Sequence, residues 1–314
     1  HQLPRSLDKL FPSPAQSASV NRPKAVLIAS LSSALLSAAL FPTPAKAQKE
    51  KKPPTPAAAN VKRTIHHRAT HRLPYGGSVT LVAPPVSSIT IEGWSRNEIE
   101  IEADIELQAP TEADLDLLAA INNLAIDVDS NHVRLLTSGT HDKKYLQRVA
   151  KKFPKTLIGL PWKIDFRLKI PALTDLDIDS GVGPIKVSGV EGSIRLEALQ
   201  SDAELTLTGG YFSGLIQRGA VKLTVPSRNW RGLGATLQIA GGTLEVVLAP
   251  GFSGDVDANV LRLGEVKNSY AGLTPREGNA NNPRLLLGRA GAGGAKLSFT
   301  VGDGTLEIKS SGGP

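Results

Sequence analysis

The sequence contains no cysteine and no methionine, and aromatic residues make up only 4% of it. Without cysteine there are no disulfides, no thiol nucleophile, no thiolate-held metal and no lipid-modified N-terminal cysteine, whereas secretion stays open. With 7 Phe, 4 Tyr and 3 Trp in 314 residues, a core has to be assembled from Val, Ile, Leu and Ala. That favours thin repeated layers over a bulky aromatic interior. Basic residues interleaved with aromatics are also missing, so the formal charge of +7 gives no nucleic-acid stripe. The excess charge is uneven: cations crowd residues 49–72 and 143–169, and residues 92–129 are acidic.

The one long apolar run, Val26 to Leu40, is diluted by Ser30, Ser32, Ser33 and Ser37 and falls short of the ~20 residues a membrane span needs. Arg22 and Lys24 precede it, and Ala45-Lys46-Ala47 follows with small residues at −3 and −1. This is the pattern of a secretory leader cut before Gln48. With no methionine present, Val20 is the expected start, so residues 1–47 are read as an extraneous extension plus a signal peptide. Residues 48–62, "QKEKKPPTPAAANVK", carry Pro, Ala and Lys without apolar periodicity and read as a linker. The expected body is 63–314, exported to the periplasm, the cell surface or the medium. No sortase motif or hydrophobic tail accompanies the ending "LEIKSSGGP".

From Ser78 onward the apolar period is two. Val79, Leu81 and Ala83 share a face, as do Ile89 and Ile91. Ile99, Ile101, Ala103, Ile105 and Leu107 stand against an outer row of Glu98, Glu100, Glu102, Asp104 and Glu106. These are strands with one face buried and one wet. "TEADLDLLAAINNL" departs from that period: Thr111 is the expected N-cap, with Leu117, Ala120, Ile121 and Leu124 at helical spacing. A strand pair over "AIDVDS" and "HVRLL" should follow. "HDKKYLQRVAKKFPK" reads as a second helix with Tyr145, Val149 and Phe153 on one side, ended by Pro154.

Between Ile164 and Val266 the strands become short beats. Leu176/Ile178, Ile185/Val187, Ile194/Leu196 and Leu205/Leu207 recur about every 9 to 11 residues, with glycines between them. A hairpin meander and a solenoid both fit. Short beats, few aromatics and small outward side chains favour an all-β, Gly-punctuated β-solenoid (β-helix) with an N-terminal strand region and one or two short helices. "ITIEGW", "GPIKVSGVEGSIRLEA" and "GAGGAKLSFTVGDGTLEIK" resemble the bacterial putative-adhesin family of head-GIN-like β-solenoid domains, over about Val79 to Lys309. The resemblance implies an exported β-helical protein of unknown function and brings no catalytic residues with it.

Chemistry-bearing patterns are sparse. Asp175, Asp177 and Asp179 share an outward edge, but the spacing lacks the glycine and glutamate of a calcium loop, with Ser180 and Lys186 in their places. His66, His67 and His71 cluster without a carboxylate or thiolate close by in sequence. "GFSGD" lacks the spacing of a nucleophile elbow, and "GRAGAGGAKLS" breaks a phosphate loop at Ala295, so it reads as a turn. Trp94, Trp162 and Trp230 are too scattered to form sugar platforms, and Trp230 beside Arg228 and Arg231 suits packing. No metal, cofactor or catalytic residue is expected. The expectation is a non-enzymatic exported protein that presents a binding surface, an adhesin or cell-envelope protein. A β-helical carbohydrate-active enzyme and an envelope scaffold are the alternatives. The candidate surface is Lys143, Lys144, Arg148, Lys151, Lys152 and Lys155, facing an envelope polysaccharide, an anionic lipid or another surface protein.

Overall fold

The computed structural model describes residues 60–149, 153–276 and 282–312. The expected extension, leader and nearly all of the linker lie outside the described residues. The chain opens with strands β1 (Val61–Arg72), β2 (Ser78–Val82), β3 (Ser87–Trp94) and β4 (Glu98–Ala109). Helix α1 (Glu112–Ile121) leads to β5 (Asn123–Val128) and β6 (His132–Ser138). Helix α2 (Lys143–Val149) and a 3-10 turn (Lys155–Leu157) lead to β7 (Trp162–Pro171). Then follow β8 (Asp175–Val182), β9 (Ile185–Ser188), β10 (Ser193–Gln200), β11 (Ala203–Thr206), β12 (Gly209–Val225) and β13 (Arg231–Leu248). The chain closes with β14 (Gly254–Asn268), β15 (Leu273–Pro275), β16 (Leu285–Ala290) and β17 (Lys296–Ser310).

These strands belong to one hydrogen-bonded sheet, curled until it is nearly closed and barrel-like. That corrects the expected β-solenoid. A simple coil needs every turn to stack on the one before it, and two regions break the rule. β4 pairs antiparallel with both β1 and β7. The last strand, β17, enters between β13 and β14. What the glycine-spaced beats do report is parallel register. One parallel ladder runs β6–β2–β8–β10–β12–β13–β17–β14. A second runs β7–β3–β9–β11–β12–β13–β17–β14. The two merge because the four long strands pass through both.

Constant register stacks like on like. Val79, Leu176, Ile194, Phe212, Ala235, Leu297 and Val256 are consecutive partners along the first ladder. Ile89, Ile185, Ala203, Val221 and Leu244 do the same along the second. All of these are buried, so each row is a continuous apolar column. Phe212 has room because the next inward position on its own strand is Gly214, where a Cβ would come within 2.9 Å of the phenyl ring.

Where the long strands turn from one ladder to the other, Gly219, Gly242, Gly304 and Gly264 are successive partners. Their φ angles are 149°, 139°, 141° and 123°. A Cβ on Gly242 would stand 1.9 Å from the Gly219 carbonyl oxygen, and one on Gly304 would stand 1.7 Å from that of Gly242. Only glycine meets both the backbone angle and the close approach.

In α1, Thr111 is the N-cap as expected, its Oγ1 accepting the Asp114 amide at 3.1 Å. The buried face is Leu115, Leu118 and Ile121, whereas Leu117 is 44% exposed. Of the expected stripe, Ile121 is buried in the helix and Leu124 in β5, whereas Leu117 and Ala120 face outward; packing against β4 rotates the helix to bury Leu115 and Leu118.

Candidate binding surface

On the outer face of the second ladder, charges alternate from strand to strand. Thr90, Lys186, Glu204, Lys222 and Glu245 are consecutive partners on β3, β9, β11, β12 and β13. Lys186 meets Glu204 at 3.3 Å, Lys222 meets Glu245 at 3.3 Å, and Lys309 reaches Glu245 at 3.0 Å. Hydrogen bonds from Lys309 and then Lys222 hold the Glu245 carboxyl below its ordinary range.

The alternation continues beyond β3, where the acidic row of β4 lies between two basic strands. Glu106 meets Lys62 at 2.8 Å and Lys163 at 3.7 Å. Asp104 meets His66 at 2.6 Å and Arg167 at 2.5 Å, and Glu102 meets Arg68 at 2.8 Å and Arg167 at 3.3 Å. Asp104 is held low by the His66 contact first and Arg167 second, and Glu106 chiefly by Lys62. The acidic row therefore belongs to β1 and β7, not to the basic segment of α2.

An open groove of about 580 Å³ crosses this face, lined by Ser88, Thr90, Pro184, Lys186, Asp202, Glu204, Ala220, Lys222, Thr243 and Glu245 among others. Its carboxylates all have partners: Asp202 accepts the Ala220 amide at 2.9 Å, and Glu204 and Glu245 hold lysines. Hydrolysis of a glycosidic bond needs one carboxylic acid kept protonated beside a second, ionised one. This groove offers ion pairs and small polar side chains.

The expected binding residues fall on α2 and the turn after it. Lys143, Lys144 and Arg148 lie on α2 and are exposed, and Lys155 opens the 3-10 turn, also exposed. Lys151 and Lys152 lie outside the described residues. The Asp142 carboxylate caps the helix, accepting the amides of Lys144 at 2.9 Å and Tyr145 at 3.0 Å, and the Tyr145 bond is the main reason its carboxyl is held low. Among the described residues the helix covers Lys143–Val149 and is turned differently from the expectation. Leu146 is its buried residue, Val149 is 49% exposed, and Tyr145 is half-buried. Phe153, beyond the helix, packs on the core. Lys143, Lys144, Arg148 and Lys155 form no ion pair with any described residue.

Strand alternation separates the histidines: His66 faces outward with Asp104, and His67 and His71 lie on the other face of β1. Asp175 accepts the Ser193 amide at 2.7 Å and Asp177 pairs with Arg195 at 2.9 Å, so two of the three aspartates bind the neighbouring strand. Among the described residues no group of three His, Asp or Glu is placed to hold a metal ion. Trp230 is buried and donates its indole N–H to the Gly210 carbonyl at 3.0 Å, which is a packing role. Trp94 carries the Arg96 guanidinium 4.8 Å and the Lys169 ammonium 5.7 Å from its ring centre, contacts that its place in the sequence does not signal. The segment after Arg289 is a turn leading into β17, with Gly291 and Gly293 at φ 55° and 81°.

No protein-family model matches the chain, and no curated protein matches it. Solved structures with a related chain trace include a "putative cell adhesion protein" from Clostridium sporogenes, 10% identical, covering 79% of this chain and 100% of that one, with a TM-score of 0.40. Another is a "putative adhesin" from Bacteroides fragilis, 10% identical, covering 79% and 97%, TM-score 0.30. A third is a "putative lipid binding protein" from Parabacteroides distasonis, 12% identical, covering 79% and 95%, TM-score 0.21. No helix among the described residues is long and apolar enough to cross a membrane.

Proposed function

We propose that this is an exported, non-enzymatic, adhesin-like protein of the cell envelope. Its rigid sheet presents the basic α2 segment to an anionic envelope polymer or lipid surface. The observation that carries this reading is the unequal treatment of charge. Cations on the strands are repeatedly matched to carboxylates across the sheet, whereas Lys143, Lys144, Arg148 and Lys155 are exposed and form no ion pair with a described residue, Asp142 acting on Arg148 only at longer range. Uncompensated cations on one short segment attract polyanions, with a strength that salt screens over about 8 Å at physiological ionic strength. Export is supported by the leader pattern around Val26 to Ala47.

The test is binding of the purified protein to phosphatidylglycerol vesicles and to alginate across a salt series. Binding should fall steeply with salt and disappear in the triple variant Lys143→Glu, Lys144→Glu, Arg148→Glu. Binding that resists both salt and the substitution would overturn the assignment. Depolymerisation of the polysaccharide would replace it with an enzyme.

A further inference from the structure

Strand β1 ends the second side of the sheet. Among the described residues it pairs only with β4, over twelve consecutive positions from Val61↔Ala109 to Arg72↔Glu98, with no bulge. Its other edge is a straight row of backbone donors and acceptors with no described partner. It contains no proline and no acidic residue. A long regular edge of this kind is a template for another strand.

We infer that the free edge of β1 accepts an extended segment of a partner protein in which acidic and apolar residues alternate. Charge selects the occupant. On this face the prevailing sign changes from strand to strand: β7 offers Lys163, Arg167 and Lys169 with one acid, Asp165, β4 offers carboxylates, and β1 offers Lys62, Arg68 and Arg72. The next strand in that order is acidic. The cations of β1 are only half compensated, because Glu106, Asp104 and Glu102 each also hold a cation of β7. Arg68 remains 81% exposed, and Arg72 forms no ion pair with a described residue. On the inner face Val61, Ile65 and Ala69, partly buried against the core, alternate with Arg63, His67 and His71, so the same added strand meets an apolar residue at every second inward position. A second copy of β1 brings like charges opposite one another and is disfavoured. The chain's own residues 49–52, Lys-Glu-Lys-Lys, carry the wrong sign as well. This surface is separate from α2, and the inference stands whatever α2 contacts.

The probe is a labelled peptide with the sequence of residues 98–107, EIEIEADIEL, added to the full-length protein. Two controls accompany it: the same peptide with every acid replaced by lysine, and an acidic peptide of equal composition with the alternation scrambled. The alternating acidic peptide should bind, with affinity falling about tenfold between 0.05 and 0.3 M salt, and should slow hydrogen exchange of amides within residues 61–72. The Arg68→Glu, Arg72→Glu double variant should lose at least tenfold in affinity for it. Equal binding of the lysine or scrambled peptide, or binding without protection of those amides, overturns the inference. Exchange on the unmodified protein keeps the test decisive if the double variant does not fold. A protein that dimerises and is protected over residues 61–72 without any peptide would assign the edge to a second copy and also overturn it.

Discussion

The outer face of the sheet and the segment around α2 both carry dense charge, and they use it in opposite ways. On the sheet, register brings Lys186 to Glu204 and Lys222 to Glu245, so the charges fix neighbouring strands and cancel. On α2, one residue (Leu146) anchors the helix, Asp142 is occupied by backbone amides, and the cations face outward without ion pairs to described residues. Charge on a strand is answered at a fixed distance by the next strand. Charge on a short excursion from the sheet has no such neighbour. The first set therefore bears on stability and the second on whatever approaches from outside.

The comparison can be broken at several depths. The largest effect lies beneath the ladder: Leu196→Asp places a carboxylate in a fully buried column and should cost several kcal/mol, enough to prevent folding. Arg195→Asp on the outer face of the same strand should leave a folded protein with a modestly lower Tm, and equal behaviour of the two would invert the assigned faces. Next in size is Glu245→Lys, which sets three lysines together where Lys222 and Lys309 now share a carboxylate. A loss of about 1–2 kcal/mol is expected, read as a fall of several degrees in Tm.

Acid should act on the same groups. Asp104, Glu106, Glu245 and Asp255 are all held below their ordinary values by basic neighbours. Their folded-state values lie under the unfolded ones, so their contribution is intact above about pH 5 and is lost as the pH falls through and below 4. A Tm-against-pH profile should be flat near neutrality and decline on the acid side, and a Tm that rises as the pH falls from 5 to 3 would contradict this. The smallest effect on stability belongs to α2. Lys143→Glu with Lys144→Glu should change it by no more than about 0.5 kcal/mol while abolishing salt-sensitive binding to anionic vesicles. A large fall in Tm would make α2 part of the scaffold.

Much of the framework is legible in the sequence, because the apolar period of two over residues 78–107 and the Thr111 cap are local signals. The strand β1 is not, since its inward positions include Arg63, His67 and His71 and apolar alternation is too weak to mark it. The phase of α1 is decided by packing, which buries Leu115 and Leu118 in place of Leu117 and Ala120. The basic residues of α2 are visible as a run, but that they form no ion pair with a described residue is not. Nor is the ion-pair ladder, because its members are far apart in the chain. A signal for it does exist: Lys186, Glu204 and Lys222 are each 18 residues apart, as are Asp177 and Arg195. The beats of 9 to 11 are half of that interval, so a search at twice the beat finds the facing charges.

The position of β17 has a consequence in time. A ribosome delivers β13 and β14 long before Lys296 exists, yet in the finished sheet those two strands do not touch and both lie against β17. Until the last residues of the chain emerge, β14 has no parallel neighbour, and the columns through Leu237 and Ala258 stay open at the place Phe299 will fill. β17 is thus an internal strand made after both of its neighbours, and without it β14 and the strands beyond it lose their link to β13.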